Sequence, residues 1–197
     1  MHLEPLLDEQ ERRFGTPETL WIVQRIGADE LAMVRGSTKA RRTHDVTFFI
    51  LDGPKVVVIK KPFFPPGAYR VPSGGVHPGE AFEAGVQREA LEETGLSIRL
   101  DRYLLRVEAC FVCGGERERW FTHVFSARAV EGALGARDTH EIAEVRWSTL
   151  EELQGPIRKV LLATQRGLFA YRVALTDKAV SLLDKFPPSS KLGRGMG

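Results

Sequence analysis

Residues 74–96, GGVHPGEAFEAGVQREALEETGL, constrain the fold more than any other part of the chain. The segment begins with two glycines and passes through a proline, which favours a sharply turned loop. Residues 80–94 then have the composition and spacing of a helix. On that helix Glu89, Glu92 and Glu93 fall at positions i, i+3 and i+4, so their carboxylates share one face. Alanine, valine and leucine supply much of the opposite face, which we expect to pack on a core.

The shared face of three glutamates predicts that a cation binds beside them. Like charges four residues apart on a helix cost about 0.2–0.5 kcal/mol per pair, and two charges about 4 Å apart in a partly desolvated cleft repel by roughly 4 kcal/mol. Arg88 can offset part of this repulsion through Glu92 but cannot neutralise three carboxylates. Oxygen ligands of this kind suit Mg²⁺ or Mn²⁺. The alternative is a solvated helix whose acidic stripe binds no ligand.

Strand-like segments surround this loop and helix. Residues 45–60 are predicted to form a hairpin, because two β-rich runs flank the tight-turn pair Asp52-Gly53. Residues 97–113 and 119–130 are rich in β-branched and aromatic residues and are expected to pair around GGERE. A further short strand is expected at 144–148. Strands that flank one central helix, with more helices at the end, predict an α/β fold with a mixed sheet between helical layers.

The length of 197 residues suits one domain with room for extra elements at either end. The core is expected to span residues 43–155, between an N-terminal extension at 1–42 and a helical C-terminal extension at 156–197 with a flexible tail. The elements predicted in the extensions are a helix at 3–14, two short strands within 20–35, and helices at 156–166 and 176–186.

Composition limits the classes of function. A formal net charge of +2 is too small to predict that the chain wraps nucleic acid. No apolar run reaches the roughly 18 residues that cross a bilayer, and the first residues do not resemble a secretory signal. We therefore expect a cytoplasmic protein that does not bind a membrane. Cys110 and Cys113 form a C-x-x-C pair without a second pair, which favours structural cysteines over a zinc or redox site.

The spacing within residues 74–96 fits one known pattern at every fixed position. With U for an apolar residue, the pattern G-x5-E-x7-R-E-U-x-E-E-x-G-U is matched by Gly74, Glu80, Arg88, Glu89, Ala90, Glu92, Glu93, Gly95 and Leu96. The pattern resembles the signature of the Nudix hydrolase family. A looser resemblance to this family runs from about residue 43 to residue 154.

The resemblance implies a Nudix-type α/β/α sandwich and an enzyme that uses Mg²⁺ or Mn²⁺ as its cofactor. Such an enzyme cleaves the diphosphate bond of a nucleoside diphosphate linked to another moiety, by attack of metal-activated water on phosphorus. The family's metal-binding positions are occupied here by Glu89, Glu92 and Glu93, with the carbonyl of Gly74 as a further ligand.

The resemblance also implies roles for other charged residues. Arg88, which we count with the catalytic residues, and Glu80 occupy positions that brace the loop and the helix. Some members take a further glutamate from a loop before the last core strand, and Glu141 stands in that place here. Glu92 and Glu141 are therefore both candidates for the general base, while Glu144 competes with Glu141 for its role.

The sequence does not name a substrate. Residues 79–155 contain no proline, whereas members that act on ADP-ribose tend to have one beyond the signature. The expected partner is therefore a small nucleoside diphosphate derivative of unspecified kind rather than a nucleic acid, and a homodimer is left open. The main alternative is a Nudix-fold protein that senses a nucleotide without cleaving it, although such proteins typically have an eroded signature. A second alternative is isopentenyl diphosphate isomerase, whose cysteine-bearing motif is not evident here.

Overall fold

The computed structural model describes residues 4–39, 44–77 and 79–185. The chain forms both helices and strands, and both extensions contribute elements. In chain order these are α1 (Glu4–Phe14), β1 (Glu18–Arg25), α2 (Ala28–Lys39), β2 (His44–Asp52), β3 (Lys55–Lys60), β4 (Ser73–Gly74), α3 (Phe82–Thr94), β5 (Leu96–Cys113), β6 (Glu116–Gly132), β7 (Glu144–Thr149), α4 (Leu150–Glu152), a π-helical turn (Leu153–Ile157), α5 (Arg158–Ala163) and α6 (Gly167–Lys185).

The strands in the described residues form one mixed sheet in the order β1-β5-β6-β2-β3-β7, with β4 paired to β2 off this path. β1 is parallel to β5 and β2 is parallel to β6, whereas the β2–β3, β5–β6 and β3–β7 pairs are antiparallel. The predicted hairpin at 45–60 and the predicted pairing of 97–113 with 119–130 are both present. Thr47 of β2 lies opposite Ser73 of β4, so the glycine loop starts at the sheet.

Helices cover both faces of this sheet. Phe48 and Phe49 are neighbours on β2 that belong to opposite hydrophobic clusters, as the alternation of strand side chains requires. One cluster includes Val86 of α3, and the other includes Val34 of α2 and Leu175 of α6. The α/β fold with a mixed sheet between helical layers is therefore as predicted. No helix in the described part of the chain is long and apolar enough to cross a membrane.

The extensions differ from the prediction in two elements. The sequence predicts two strands within 20–35, but residues 28–39 form α2, and only β1 is a strand. Asp29 and Glu30 lie in the first turn of α2, where the helix dipole favours carboxylates. The last helix also begins earlier than predicted, at Gly167 rather than near residue 176. The flexible tail predicted at the end of the C-terminal extension lies outside the described residues, the last of which is residue 185.

Candidate active site

The end of helix α3 is fixed by Gly95 and by the loop that follows β6. Gly95 has a φ of 75°, a left-handed conformation that glycine adopts readily. A Cβ at this position would stand 2.3 Å from the carbonyl oxygen of Gly135, so no other residue fits. The N–H groups of residues 137 and 138 donate to the carbonyl of Glu92 over 2.9 and 3.1 Å. These contacts place the loop 135–138 against the acidic end of the helix.

The backbone of Gly74 lies against the carboxylate of Glu89. A Cβ built on Gly74 would stand 2.0 Å from Glu89 Cδ, much closer than any real contact. The N–H of Gly75 donates to Glu89 Oε1 over 3.1 Å. The glycine loop therefore reaches the helix because residue 74 lacks a side chain, and it holds the Glu89 carboxylate next to its own backbone.

Arg88 joins the loop to the helix. Its guanidinium donates to Glu80 Oε1 over 3.0 Å and to the carbonyl of Gly75 over 2.8 Å. It also donates to Glu89 over 3.0 Å and, more weakly, to Glu92 over 3.3 Å. The hydrogen bond with Glu80 is the main cause that raises the pKa of Arg88 and lowers the pKa of Glu80. The two residues that were predicted to brace the loop thus form an ion pair between loop and helix.

Glu93 is buried, although it belongs to the acidic stripe. Its carboxylate accepts hydrogen bonds from the N–H of Ser73 over 2.8 Å and from Arg70 Nη2 over 3.2 Å. Arg70 also donates to Ser73 Oγ over 2.8 Å. Burial raises the pKa of Glu93 although Arg70 and Lys61 oppose this effect, and burial lowers the pKa of Arg70. Both directions follow from an ion pair that has lost its water.

Glu141 lies on the loop before β7, where Lys61 binds it. Lys61 Nζ is 2.9 Å from Glu141 Oε2, and the Glu141 side chain is mostly exposed. The charge of Lys61 also reaches Glu93, whose pKa it lowers. The competing residue, Glu144, instead accepts a hydrogen bond from the hydroxyl of Tyr69 over 2.7 Å. Lys61 therefore binds Glu141, while its charge also acts on Glu93 of the acidic helix.

The glutamates of the helix form an all-oxygen donor set that protein cations neutralise. Among the residues that the structure describes, no three His, Cys, Asp or Glu side chains converge as a metal cluster. Carboxylate and carbonyl oxygens are the ligand type that a hard divalent cation takes, and the backbone of Gly74 lies close to Glu89. In this structure the carboxylates of Glu89 and Glu93 instead bind Arg88, Arg70 and backbone N–H groups. The assignment of Glu89, Glu92, Glu93 and Gly74 as metal ligands stays a prediction.

A cavity of about 250 Å³ opens beside the buried pair of Glu93 and Arg70. Lys61, Arg70 and Ser73 line it on the side of the acidic helix. Helices α2 and α6, which lie in the two extensions, form much of the remaining wall. The aromatic residues that line the cavity are Phe63, Phe64, Phe111, Trp120, Phe169 and Tyr171. The sequence could not show that the two extensions meet here, because about 130 residues separate them.

A second buried ion pair attaches α6 to the sheet at this cavity. Asp45 accepts hydrogen bonds from Arg172 Nη2 over 2.9 Å, from Trp120 Nε1 over 3.0 Å and from the hydroxyl of Thr122. Burial acts to raise the pKa of Asp45, but Arg172 and Thr122 outweigh it and hold the pKa below its usual range. Sequence reasoning missed this pair, and its one local signal is an aspartate at the start of an otherwise apolar strand.

Cys110 and Cys113 are free and partly buried on β5. Residues three apart on a strand point to opposite faces of the sheet, which does not suit a shared metal ion. Their interpretation as structural residues stays a prediction.

Comparison with known proteins agrees with this loop, helix and sheet. Residues 41–168, more than half of the chain, match the NUDIX domain. The chain belongs to the NUDIX family. A protein of Mycobacterium tuberculosis that is named as mutator protein MutT4 is 31% identical over 170 residues, which cover 79% of this chain and 67% of that protein. An RNA pyrophosphohydrolase of Salmonella paratyphi B is 28% identical over 136 residues, covering 61% of this chain and 75% of that enzyme.

Solved structures of NUDIX proteins share the fold. A NUDIX hydrolase from Nitrosomonas europaea superposes with a TM-score of 0.52 at 19% identity, over 73% of this chain and 89% of that one. A MutT protein from Methanosarcina mazei Go1 superposes with a TM-score of 0.52 at 21% identity, over 74% of this chain and 96% of that one. The NUDIX chain described here is thus a Nudix-type pyrophosphohydrolase, of a family that generally uses divalent metal ions.

Proposed function

We propose that this NUDIX protein hydrolyses the diphosphate bond of a nucleoside diphosphate linked to another moiety, and that it uses Mg²⁺ or Mn²⁺. Glu89, Glu92, Glu93 and the carbonyl of Gly74 would hold the metal. The observation that carries the proposal is the close approach of the Gly74 backbone to the Glu89 carboxylate, because it brings a carbonyl-bearing loop onto the acidic helix. The cavity next to Glu93 supplies a place for the substrate.

The position of each residue indicates the role that we assign to it in hydrolysis. A divalent cation held by these residues would neutralise diphosphate oxygens and lower the pKa of a coordinated water. Arg88 holds Glu89 and the loop in a fixed relation, which keeps the carboxylates oriented before substrate binds. Glu92 and Glu141 are partly exposed and can each accept the proton of the attacking water. Lys61 holds Glu141 at the edge of the cavity, whereas the Glu92 carboxylate accepts a long hydrogen bond from Arg88.

A substrate panel tests the reaction. The panel contains nucleoside diphosphate sugars, dinucleoside polyphosphates, nucleoside triphosphates and an RNA with a 5′-triphosphate, the last because one relative is named an RNA pyrophosphohydrolase. Each compound is incubated with Mg²⁺ or Mn²⁺, with and without chelator, and products are separated by chromatography. We expect phosphorus-containing products from at least one compound and none with chelator. Tight nucleotide binding without turnover of any compound would instead support a sensor.

Charge-removing variants test the assigned roles. Glu89→Gln and Glu93→Gln should each lower turnover by about 10²–10³-fold, because glutamine keeps the shape but loses the charge to which a cation responds. Glu141→Gln should lower turnover with less change in metal dependence if Glu141 is the base. Glu131→Gln, at an exposed position on β6, is the matched control. The measurement is kcat against Mg²⁺ concentration, with thermal unfolding of each variant to exclude loss of fold. Parental behaviour of both helix variants at every metal concentration would show that Glu89 and Glu93 bind no catalytic metal and serve only the contacts of the fold.

A further inference from the structure

The loop 133–143, between β6 and β7, is bound to the end of the acidic helix α3 by its first half. The N–H of Gly135 donates to the carbonyl of Thr94 over 3.0 Å. The N–H groups of residues 137 and 138 both donate to the carbonyl of Glu92, over 2.9 and 3.1 Å. The last carbonyls of a helix have no partner within the helix. These bonds therefore satisfy carbonyls of α3 and give the loop a fixed position against it.

The second half of the loop is bound to the end of strand β3. The N–H of Ala143 donates to the carbonyl of Lys60 over 2.8 Å, and Ile142 is only 2% exposed. The side chain of Lys61 binds the Glu141 carboxylate over 2.9 Å. Glu141 thus lies on a loop that joins α3 to β3, and its backbone position depends on the residues between these two attachments.

Asp138 caps a single helical turn within this loop. Its Oδ1 accepts hydrogen bonds from the N–H of His140 over 3.0 Å and from the N–H of Glu141 over 3.1 Å. Its carbonyl accepts from the N–H of Ile142 over 3.0 Å, which closes the turn. A side-chain oxygen that accepts from the second and third residues of a turn is the arrangement of a helix N-cap. Because β7 begins at Glu144, no further helical turns support this one, and it depends on its cap.

Asp138 therefore joins the two candidates for the general base through their backbones. Its N–H is bound to the carbonyl of Glu92, and its carboxylate is bound to the N–H of Glu141. The Glu141 side chain is 63% exposed, so packing does little to fix its carboxylate and the position of its backbone matters more. A displacement of about 1 Å can lower the rate of a catalysed reaction by about 10²-fold.

We propose that Asp138 is a positioning residue, which holds Glu141 at the acidic helix by capping the turn on which Glu141 lies. Asp138 itself neither contacts the substrate nor transfers a proton. The inference rests on the proposed function and deepens it, because it names the residue that sets the place of one candidate base. The alternative role of Asp138 is general stabilisation of the loop, which would not act through the Glu141 carboxylate.

Kinetics of the double variant Asp138→Ala/Glu141→Gln distinguish these roles. On a panel compound that the protein hydrolyses, Asp138→Ala should lower kcat by about 10- to 100-fold and leave KM close to the parental value, because a displaced Glu141 weakens the chemical step and not substrate binding. In the Glu141→Gln background the same change should lower kcat by less than about twofold, because the group that Asp138 positions has already lost its charge. Asp138→Asn should restore parental kcat, since its amide oxygen can accept both N–H groups.

Thr139→Ala is the matched control, because Thr139 is exposed in the same turn. It should retain parental kcat, and thermal unfolding of each variant shows whether the fold is kept. Parental kcat of Asp138→Ala, no restoration by Asp138→Asn, or an equal loss from Asp138→Ala with and without the Glu141 carboxylate would overturn the proposal. If Glu141→Gln alone retains parental kcat while Glu89→Gln loses turnover, the proposed function stands and the positioning role is overturned.

Amide hydrogen exchange gives a second readout that needs no turnover. In the chelator-treated protein, the N–H groups of His140 and Glu141 should exchange about 2- to 13-fold faster in Asp138→Ala than in the parent, the range that the loss of one hydrogen bond gives. Asp138→Asn should exchange as the parent does. If no panel compound is hydrolysed, the proposed function fails and exchange decides the proposal. Faster exchange confined to Asp138→Ala then supports the positioning of Glu141 by Asp138, and equal exchange in all three proteins overturns it.

Discussion

Replacing Arg70 with methionine should destabilise the protein by about 3–5 kcal/mol. Arg70 Nη2 lies 3.2 Å from Glu93 Oε1, and the two side chains are only 9% and 5% exposed, so water cannot easily replace the lost partner. Removal of one member of a buried pair leaves the other charge uncompensated, which costs about 3–5 kcal/mol. In a protein of this size 1 kcal/mol shifts the Tm by about 2–4 °C, so the Tm should fall by about 6–20 °C.

The double variant Arg70→Met/Glu93→Leu separates this penalty from the net value of the pair. Apolar residues of similar volume often replace a buried ion pair without loss of stability. We therefore expect the double variant to be more stable than Arg70→Met alone, while it loses turnover because the carboxylate is gone. Urea unfolding followed by circular dichroism gives the free energy of unfolding for the parent, both single variants and the double variant. The resulting cycle yields the coupling between the two side chains.

Arg128→Met is the exposed counterpart of this substitution. Arg128 lies 3.0 Å from Asp101, but these side chains are 47% and 34% exposed. Exposed pairs contribute about 0.2–1 kcal/mol, so this variant should unfold almost as the parent does. If Arg70→Met loses no more stability than Arg128→Met, burial does not determine the cost of breaking the Arg70–Glu93 pair, and the reasoning is refuted.

Two further predictions concern the glycine loop and the sheet. Gly74→Ala should lower kcat by about 10²-fold, because the added Cβ would stand 2.0 Å from Glu89 Cδ and must displace the Glu89 carboxylate. Gly36→Ala is the control and should leave kcat unchanged, because a Cβ at Gly36 meets no atom within 4 Å. Burial lowers the pKa of His123 to about 3. Between pH 6.5 and 3 the His123 imidazole is therefore neutral in the folded protein, whereas in the unfolded chain it binds a proton. This difference in proton binding should lower the free energy of unfolding by up to about 1.4 kcal/mol per pH unit as the pH falls from 6.5 towards 3. His123→Gln should flatten that slope in urea unfolding at pH 7, 6 and 5, and an unchanged slope would contradict this account.

Local patterns account for what the sequence predicts correctly. The turn pair Asp52-Gly53 and the strand composition around it specify a hairpin within a few residues, and β2 and β3 are joined there. The helix at 80–94 follows in the same way from a short repeat of apolar residues and from its closing glycine. In the structure it runs from Phe82 to Thr94 and ends at Gly95. These elements can be predicted without knowing which distant residues they contact.

Contacts between distant residues account for what the sequence leaves out. Residues 28–39 contain glycine, serine and threonine, which weaken helix propensity, yet α2 forms there because Leu31 and Val34 bury in the core. The carboxylate of Glu30 caps a helix that begins at Gly167. The spacing of acids along a helix predicts a shared face but not which of them is buried, since burial depends on the elements that pack against that face.

The C-terminal helix is physically connected to the acidic helix through the centre of the sheet. Arg172 of α6 is paired with the buried Asp45 and also donates to Thr47 Oγ1 over 3.2 Å. Thr47 lies opposite Ser73 in the sheet register, and the N–H of Ser73 donates to Glu93. Loss of α6 would leave Asp45 buried without its cation beside the strand that supports the glycine loop. Because catalytic side chains need a support that keeps them in place, we expect α6 to contribute to the candidate site, although nearly all of it lies beyond the region matched to the family.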